Sequence, residues 1–284
     1  MKRFFSIILL LFVFCALQAQ MPQMPSKQQM EAYKRFQSLY DSLTPMQKTM
    51  FFTEVKHIMD PEVKVVQPGV TNVDPPSDAI VLFDGKDINR EWEESIFRFG
   101  GAPIVKSPVT WIIKDGAMES TKGSGSLQTK RKFRDFQLHI EWKTPSVVTG
   151  QGQDRGNSGV IIQGLYEVQI LDSYQNRTYR NGQAGAVYMQ YAPMVNVSRK
   201  PGEWQTFDIY YTAPRFKDST TYFTPPRITV VHNGVLIQNN VSIQGPTFFP
   251  GIPQYNVTEH GDGPIQLQQH GNPVAFKNVW IREL

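Results

Sequence analysis

The chain predicts an all-β sandwich or jelly roll preceded by a helical hairpin, and three observations carry that prediction. Alternation of apolar and polar residues recurs from residue 79 onward, the mark of half-buried strands. The 21 Gly and 20 Pro divide the chain into short runs, as a turn-rich β protein requires. Helical spacing of apolar residues is confined to residues 26–60.

Residues 1–19 read as a secretion signal. Lys2 and Arg3 form its charged start, and Phe4 to Leu17 an apolar stretch too short for an ordinary membrane span. Ala16-Leu17-Gln18-Ala19 supplies small residues for cleavage after Ala19. The mature protein is therefore expected in the periplasm or secreted. The single cysteine, Cys15, lies inside this segment, so cleavage would remove the only thiol and any chance of a disulfide. No later segment reads as a membrane span. The formal charge of +4 owes part of its value to Lys2 and Arg3, and the one basic run, Lys130 to Lys132, precedes Phe133 in a turn. Nucleic acid is not an expected partner.

Residues 20–60 read as a helical hairpin. Ser26 with Gln29 suits a capping box, and Met30, Tyr33, Phe36 and Tyr40 follow near-helical spacing. Thr44 as N-cap and Pro45 at the first helical position restart a helix. Phe51, Phe52, Val55, Ile58 and Met59 give it an apolar stripe, and Asp60-Pro61 ends it. Residues 61–78 hold Pro61, Pro68, Gly69, Pro75 and Pro76 and read as an extended linker. The β domain then occupies residues 79–284. Its first strand is expected near Ala79 to Phe83, and a hairpin about Asp115-Gly116 follows. Further strands are expected at Phe136 to Lys143, Val160 to Gln163, Tyr166 to Leu171, Trp204 to Tyr211, Arg227 to His232, Ile265 to His270 and Val274 to Ile281. Asn233-Gly234 marks a second tight turn.

The most informative stretch runs from Arg155 to Asp172. Strand side chains alternate, so Glu167 and Gln169 share one face while Val168 and Ile170 take the core side. With Arg155, Asn157 and Ser158 just before them, the polar face suits a small polyhydroxylated ligand. A second polar face is expected where Gln266, Gln268 and His270 share one side of a strand. Tyr188 and Trp204 are candidates for stacking on a sugar ring, with a core role the stronger expectation for Trp204. His139 and Glu141 share a face and are placed near the site. Glu259, His260 and Asp262, in one loop, are candidates to hold a divalent metal ion, against the plainer reading of a solvated loop. No other cofactor is evident. There is no phosphate loop and no dinucleotide fingerprint.

Several blocks occur in a fixed order: Leu82-Phe-Asp-Gly-Lys-Asp87 followed by Trp92, Arg155-Gly-Asn-Ser-Gly159, Tyr166-Glu-Val-Gln169, Gly185-Ala-Val-Tyr188, Pro201-Gly-Glu-Trp204, Leu267-Gln-Gln-His-Gly271 and Phe276-Lys-Asn-Val-Trp-Ile281. In these the chain resembles the 3-keto-disaccharide hydrolase domain family over residues 79–284. Asn89-Arg90-Glu91 before Trp92 departs from the family's usual short Ser-Gly step. The resemblance implies a concanavalin-A-like jelly roll with a sugar-binding concave face. It also implies action on 3-keto-glycosides, whose C3 hydroxyl a separate dehydrogenase has oxidised, with elimination or net hydrolysis at C1.

A C3 ketone acidifies the proton on C2, because the carbanion left behind is an enolate. The enolate then expels the C1 substituent. This asks for a base at C2, a cation or hydrogen-bond donor at the C3 oxygen, and an acid or metal at the leaving oxygen. On this reading His270 is the favoured base, since an imidazole suits proton transfer near neutrality. Glu167 is the rival base or the leaving-group acid. Arg155 holds the enolate oxygen or a carboxylate, and Asn157, Ser158, Gln169 and Gln268 read hydroxyls. The alternative is a non-catalytic carbohydrate-binding module on the same fold. Ordinary hydrolysis by paired carboxylates would need a second acid facing Glu167, with Glu141 as the candidate.

Overall fold

The computed structural model describes residues 27–59, 63–95, 106–247 and 256–284. The expected signal segment, the Ser26 cap and Asp60-Pro61 lie outside them. The chain divides into two compact units, Met1–Val65 and Val66–Leu284. No helix among the described residues is long and apolar enough to cross a membrane.

The first unit holds helices α1 (Lys27–Asp41) and α2 (Pro45–Met59). A reciprocal cap fixes the start of α2. The Thr44 N–H donates to Gln47 Oε1 at 2.9 Å, and the Gln47 N–H donates to Thr44 Oγ1 at 3.3 Å. Phe36 and Tyr40 of α1 meet Phe51 and Phe52 of α2 at centroid distances of 5.5–6.2 Å, so aromatic contact closes the hairpin.

The second unit is a jelly-roll sandwich. In chain order its strands are β1 (Ile80–Phe83), β2 (Trp92–Ser95), β3 (Lys106–Ser107), β4 (Ile112–Lys114), β5 (Ala117–Glu119), β6 (Ser126–Thr129), β7 (Phe136–Lys143), β8 (Ser158–Ile162), β9 (Tyr166–Ile170), β10 (Gln205–Thr212), β11 (Arg215–Asp218), β12 (Thr221–Thr224), β13 (Arg227–His232), β14 (Val235–Ser242), β15 (Gln266–Leu267) and β16 (Ala275–Glu283). The back sheet runs β14-β13-β10-β7-β16-β5-β4, with β1 also paired to β16. The front sheet runs β3-β2-β6-β15-β8-β9, and β11-β12 form a separate ribbon. Both expected tight turns form, with positive φ at Asp115 and Gly116 and at Asn233 and Gly234.

Alternation builds the core. Phe136, Leu138, Ile140 and Trp142 of β7, with Phe207 and Ile209 of β10, face Val160, Ile162, Tyr166, Val168 and Ile170 of the front sheet, all fully buried. Each such side chain contributes roughly 1.5–3 kcal/mol of burial energy.

Strands β2 and β6 escape sequence reading because polar residues sit on both of their faces. Glu94 of β2 is buried, yet it accepts from the N–H groups of Gly125 and Thr110, both at 2.6 Å, and from the Thr110 hydroxyl at 2.8 Å. Strand β15 is shorter than expected and stops at Leu267. Beyond it the Gln268 N–H still donates to Gly159 O, while side chains take the other partners: Ser158 Oγ donates to Gln268 O at 2.6 Å, and the Gln269 N–H donates to Ser126 Oγ at 3.1 Å.

The outer edge of β9 is covered. The Gln169 N–H donates to Ala186 O at 3.0 Å, the Gly185 N–H to Gln169 O at 2.8 Å, and the Tyr188 N–H to Glu167 O at 3.0 Å. Residues 185–188 thus add a short seventh run to the front sheet.

Candidate active site

Residues paired across antiparallel strands point to the same face. The register therefore lays out the outer face of the front sheet as rows. One row runs Glu93, Gln128, Gln266, Ile161, Glu167 across β2, β6, β15, β8 and β9. The bridge between Val168 and Val187 extends this row to Tyr188. Gln128 Nε2 donates to Glu93 Oε1 at 2.7 Å, and Gln266 Nε2 donates to Gln128 Oε1 at 3.2 Å, so half the row is a hydrogen-bonded ladder. The adjacent row holds Ser95, Ser126, Gly159 and Gln169. Gln268 joins it through its N–H on Gly159 O at 2.9 Å.

Glu167 lies two strands beyond the ladder, with Ile161 between them. It is 7% exposed, and no donor or cation among the described residues meets its carboxylate. Burial pushes its pKa up to about 8. Gly159 lies directly beneath: a β-carbon there would come within 2.6 Å of Glu167 Oε1. Across from Glu167, the phenols of Tyr179 and Tyr188 share a hydrogen bond at 2.5 Å. Burial, and with it the Glu167 charge, holds both phenols above their ordinary pKa. Two residues along β9, Gln169 Nε2 donates to Gln153 Oε1 at 2.9 Å. The side-chain oxygens of Gln169 and Gln268 are buried without a protein donor among the described residues. Such oxygens call for a donor, and sugar hydroxyls are donors of the right reach.

Four of the expected residues thus share one surface: Glu167, Gln169, Tyr188 and Gln268. Three others are engaged elsewhere. Arg155 donates through Nε to Asp172 at 2.6 Å and through its terminal nitrogen to Tyr174 O at 3.0 Å. It holds a carboxylate, but that of Asp172. Asn157 is buried and donates to Gln153 O at 2.7 Å, and Ser158 is spent on Gln268 O. His270 is exposed and lies three residues past the end of β15.

His139 and Glu141 belong to the back sheet, not the site. His139 Nδ1 meets Asp208 at 2.7 Å and its ring stacks on Trp280, while Glu141 pairs with Lys277 at 3.3 Å. Glu141, the candidate second acid for hydrolysis by paired carboxylates, is thus in the other sheet from Glu167. Trp204 is neither core nor sugar platform; it lies between the ammonium groups of Lys143 and Lys277, 4.8 and 4.4 Å from its ring. The residues of the proposed metal loop turn apart. His260 Nε2 meets the Tyr166 hydroxyl at 2.7 Å, Asp262 faces Arg134 at 3.8 Å, and Glu259 is exposed. Among the described residues no group of three or more His, Cys, Asp or Glu could hold a metal ion. The donor set does not fit one.

Sequence reasoning missed Tyr179, Gln153 and the Glu93–Gln128 ladder. Tyr179 carries no signal of its own, because only the chain's return to β9 at residues 185–188 brings it to Tyr188.

A jelly roll whose front sheet bears a buried carboxyl, amides and phenols on its outer side has the build of a carbohydrate-active protein. Comparison makes this specific. Residues 78–282 match the 3-keto-alpha-glucoside-1,2-lyase-like domain, and the chain belongs to that family. It is 25% identical over 239 residues to a 3-keto-disaccharide hydrolase of Bacteroides thetaiotaomicron, covering 72% of this chain and 78% of that one. It is also similar to the crystal structure of a candidate glycosyl hydrolase from Parabacteroides distasonis. The TM-score is 0.72 and the identity 48%, over 81% of this chain and 96% of the other.

Proposed function

We propose that this chain cleaves glycosides whose C3 carries a ketone, with Glu167 as the base that removes the C2 proton. The observation that carries the reading is the isolation of Glu167: a buried carboxyl, uncompensated among the described residues, with a pKa near 8 on a face lined with amides. A raised pKa gives a stronger base, and its match to neutral pH suits general-base catalysis. The family and the named relative support the same substrate class. His270, off the strand and exposed, gives up the role of base to Glu167.

Proton removal leaves an enolate. Its collapse breaks the C1–O bond and forms the C1=C2 bond conjugated with the ketone; later addition of water gives net hydrolysis. Cleavage by paired carboxylates finds no support among the described residues. The other carboxylate of the row, Glu93, lies four strand spacings from Glu167, roughly 19 Å along the sheet, against the roughly 5–9.5 Å such a pair needs. The reading includes export to the periplasm or medium and a separate dehydrogenase that supplies the ketone.

The test sets a 3-keto-glucoside beside its unoxidised parent with one enzyme preparation. Cleavage of the keto sugar alone is expected, together with solvent-deuterium exchange at C2 that Glu167→Gln abolishes. Equal turnover of the parent glucoside would sink the mechanism.

A further inference from the structure

Resting on that reading, we infer that Tyr188 protonates the oxygen departing from C1 and that Tyr179 positions it for the task. Elimination makes two demands: C2 must lose a proton, and the leaving oxygen must gain one. Glu167 answers the first. The second group must face the same sugar from the same sheet surface, keep its proton at neutral pH, and recover it afterwards.

Tyr188 meets these conditions by register. The Val168–Val187 bridge and the Tyr188 N–H on Glu167 O set the two residues opposite each other. Directly opposed β-carbons lie roughly 4.5–5.5 Å apart. The C2 hydrogen and the C1 oxygen sit on adjacent carbons, so one pyranose ring can present each to its own partner. Burial, the hydrogen bond shared with Tyr179 and the neighbouring Glu167 charge keep the phenol protonated. The segment that carries Tyr179 is held in place two residues on. Asn181 Nδ2 donates to Met189 O, and the Met189 N–H donates to Asn181 O, both at 2.9 Å. The turn that carries Tyr179 is thereby tied to the residue after Tyr188. The Tyr179 hydroxyl can donate to the Tyr188 oxygen and stabilise the phenolate as it forms.

The step balances. The Glu167 carboxylate takes the C2 proton, and the C2–H electron pair becomes the C1=C2 bond. The C1–O pair departs on oxygen, which takes the Tyr188 proton. The products are a 1,2-unsaturated 3-keto sugar and an alcohol. The Tyr188 phenolate then recovers the proton from the Glu167 carboxylic acid, directly or through a water. Phenol is the weaker acid of the two, so this return runs downhill.

The experiment compares Tyr188→Phe and Tyr179→Phe on two 3-keto-glucosides, one with a nitrophenyl leaving group and one with an alkyl leaving group. Nitrophenolate departs without help, whereas an alkoxide needs a proton. Tyr188→Phe should lose roughly 10²–10³-fold in turnover of the alkyl substrate and stay near wild type on the nitrophenyl one. C2 deuterium exchange and the melting temperature should be retained. Tyr179→Phe should show the same selective pattern at smaller size. Equal loss on both substrates, or no loss on the alkyl one, would overturn the donor. Wild-type protein that turns over neither substrate would bring down the functional reading and the donor with it. Wild-type turnover with an unselective Tyr188→Phe removes the donor alone.

Discussion

The two outward faces of the sandwich are written in the same alternating pattern and put to opposite use. On the back sheet three carboxylates each have a cation or imidazole beside them: Glu141 with Lys277, Asp208 with His139, and Asp78 with Arg282 on the adjoining segment. Trp204 between two lysines and Trp280 over His139 complete a face held by side-chain contacts. On the front sheet Glu167 has no such partner among the described residues, and its neighbours are amides, a glycine and phenols. Charge pairing makes the back face a structural surface. Withholding it leaves the front face with a carboxyl whose pKa is raised, which is what the proposed base requires.

The sharpest way to break this comparison is to remove one carboxylate from each face. Glu167→Gln should lower turnover of a 3-keto-glycoside by roughly 10²–10⁴-fold, while Glu141→Gln should leave it close to wild type. Comparable losses would show that both faces matter to chemistry. Next in size is Gly159→Ala. The new methyl group must displace the Glu167 carboxyl, and a misplacement near 1 Å can cost about 10²-fold in rate. Gly159 does not need a positive φ, so melting should move little.

The pKa of Glu167 makes two statements of known sign. As a base it must be ionised, so kcat/KM should rise with pH through about 8. A midpoint near the ordinary carboxylate value would show that the site is wetter than its geometry. For stability the raised pKa works the other way: the folded state holds a proton that the unfolded chain releases near 4.5. Stability from this group is complete below that pH and is lost as pH rises through 8, by several kcal/mol at most. Glu167→Gln should therefore melt like wild type at pH 4 and above it at pH 9. Smallest of all, Lys277→Ala removes a partly exposed ion pair and a cation–π contact, worth about 1 kcal/mol together. It should lower the melting temperature slightly and spare turnover. His270→Ala should likewise spare turnover, and a large loss would restore His270 as a catalytic group.

What the sequence could and could not reveal follows from the same physics. Alternation is local, so it located Glu167 and Gln169 on one face of β9 and Val168 and Ile170 on the core side. Hydrogen-bond partners are not local. That Arg155 serves Asp172, and that Ser158 ends β15 before His270, depends on which side chains meet after folding. Glu94 shows the converse limit: a buried carboxylate satisfied by two backbone N–H groups looks in sequence like a reason to reject a strand. Tyr179 was out of reach because the chain leaves the sheet after β9 and returns only at Gly185.

That return has a consequence for how the protein can change over time. An uncovered β9 would present unpaired backbone groups, a template for joining one molecule to the next. The hydrogen bonds that set Tyr188 opposite Glu167 are among those that close this edge. A substitution that loosens the wall therefore meets two penalties, lost turnover and a tendency to aggregate. Inheritance should hold residues 185–188 to a narrower range than the exposed turns nearby, whatever sugar the surrounding loops come to prefer.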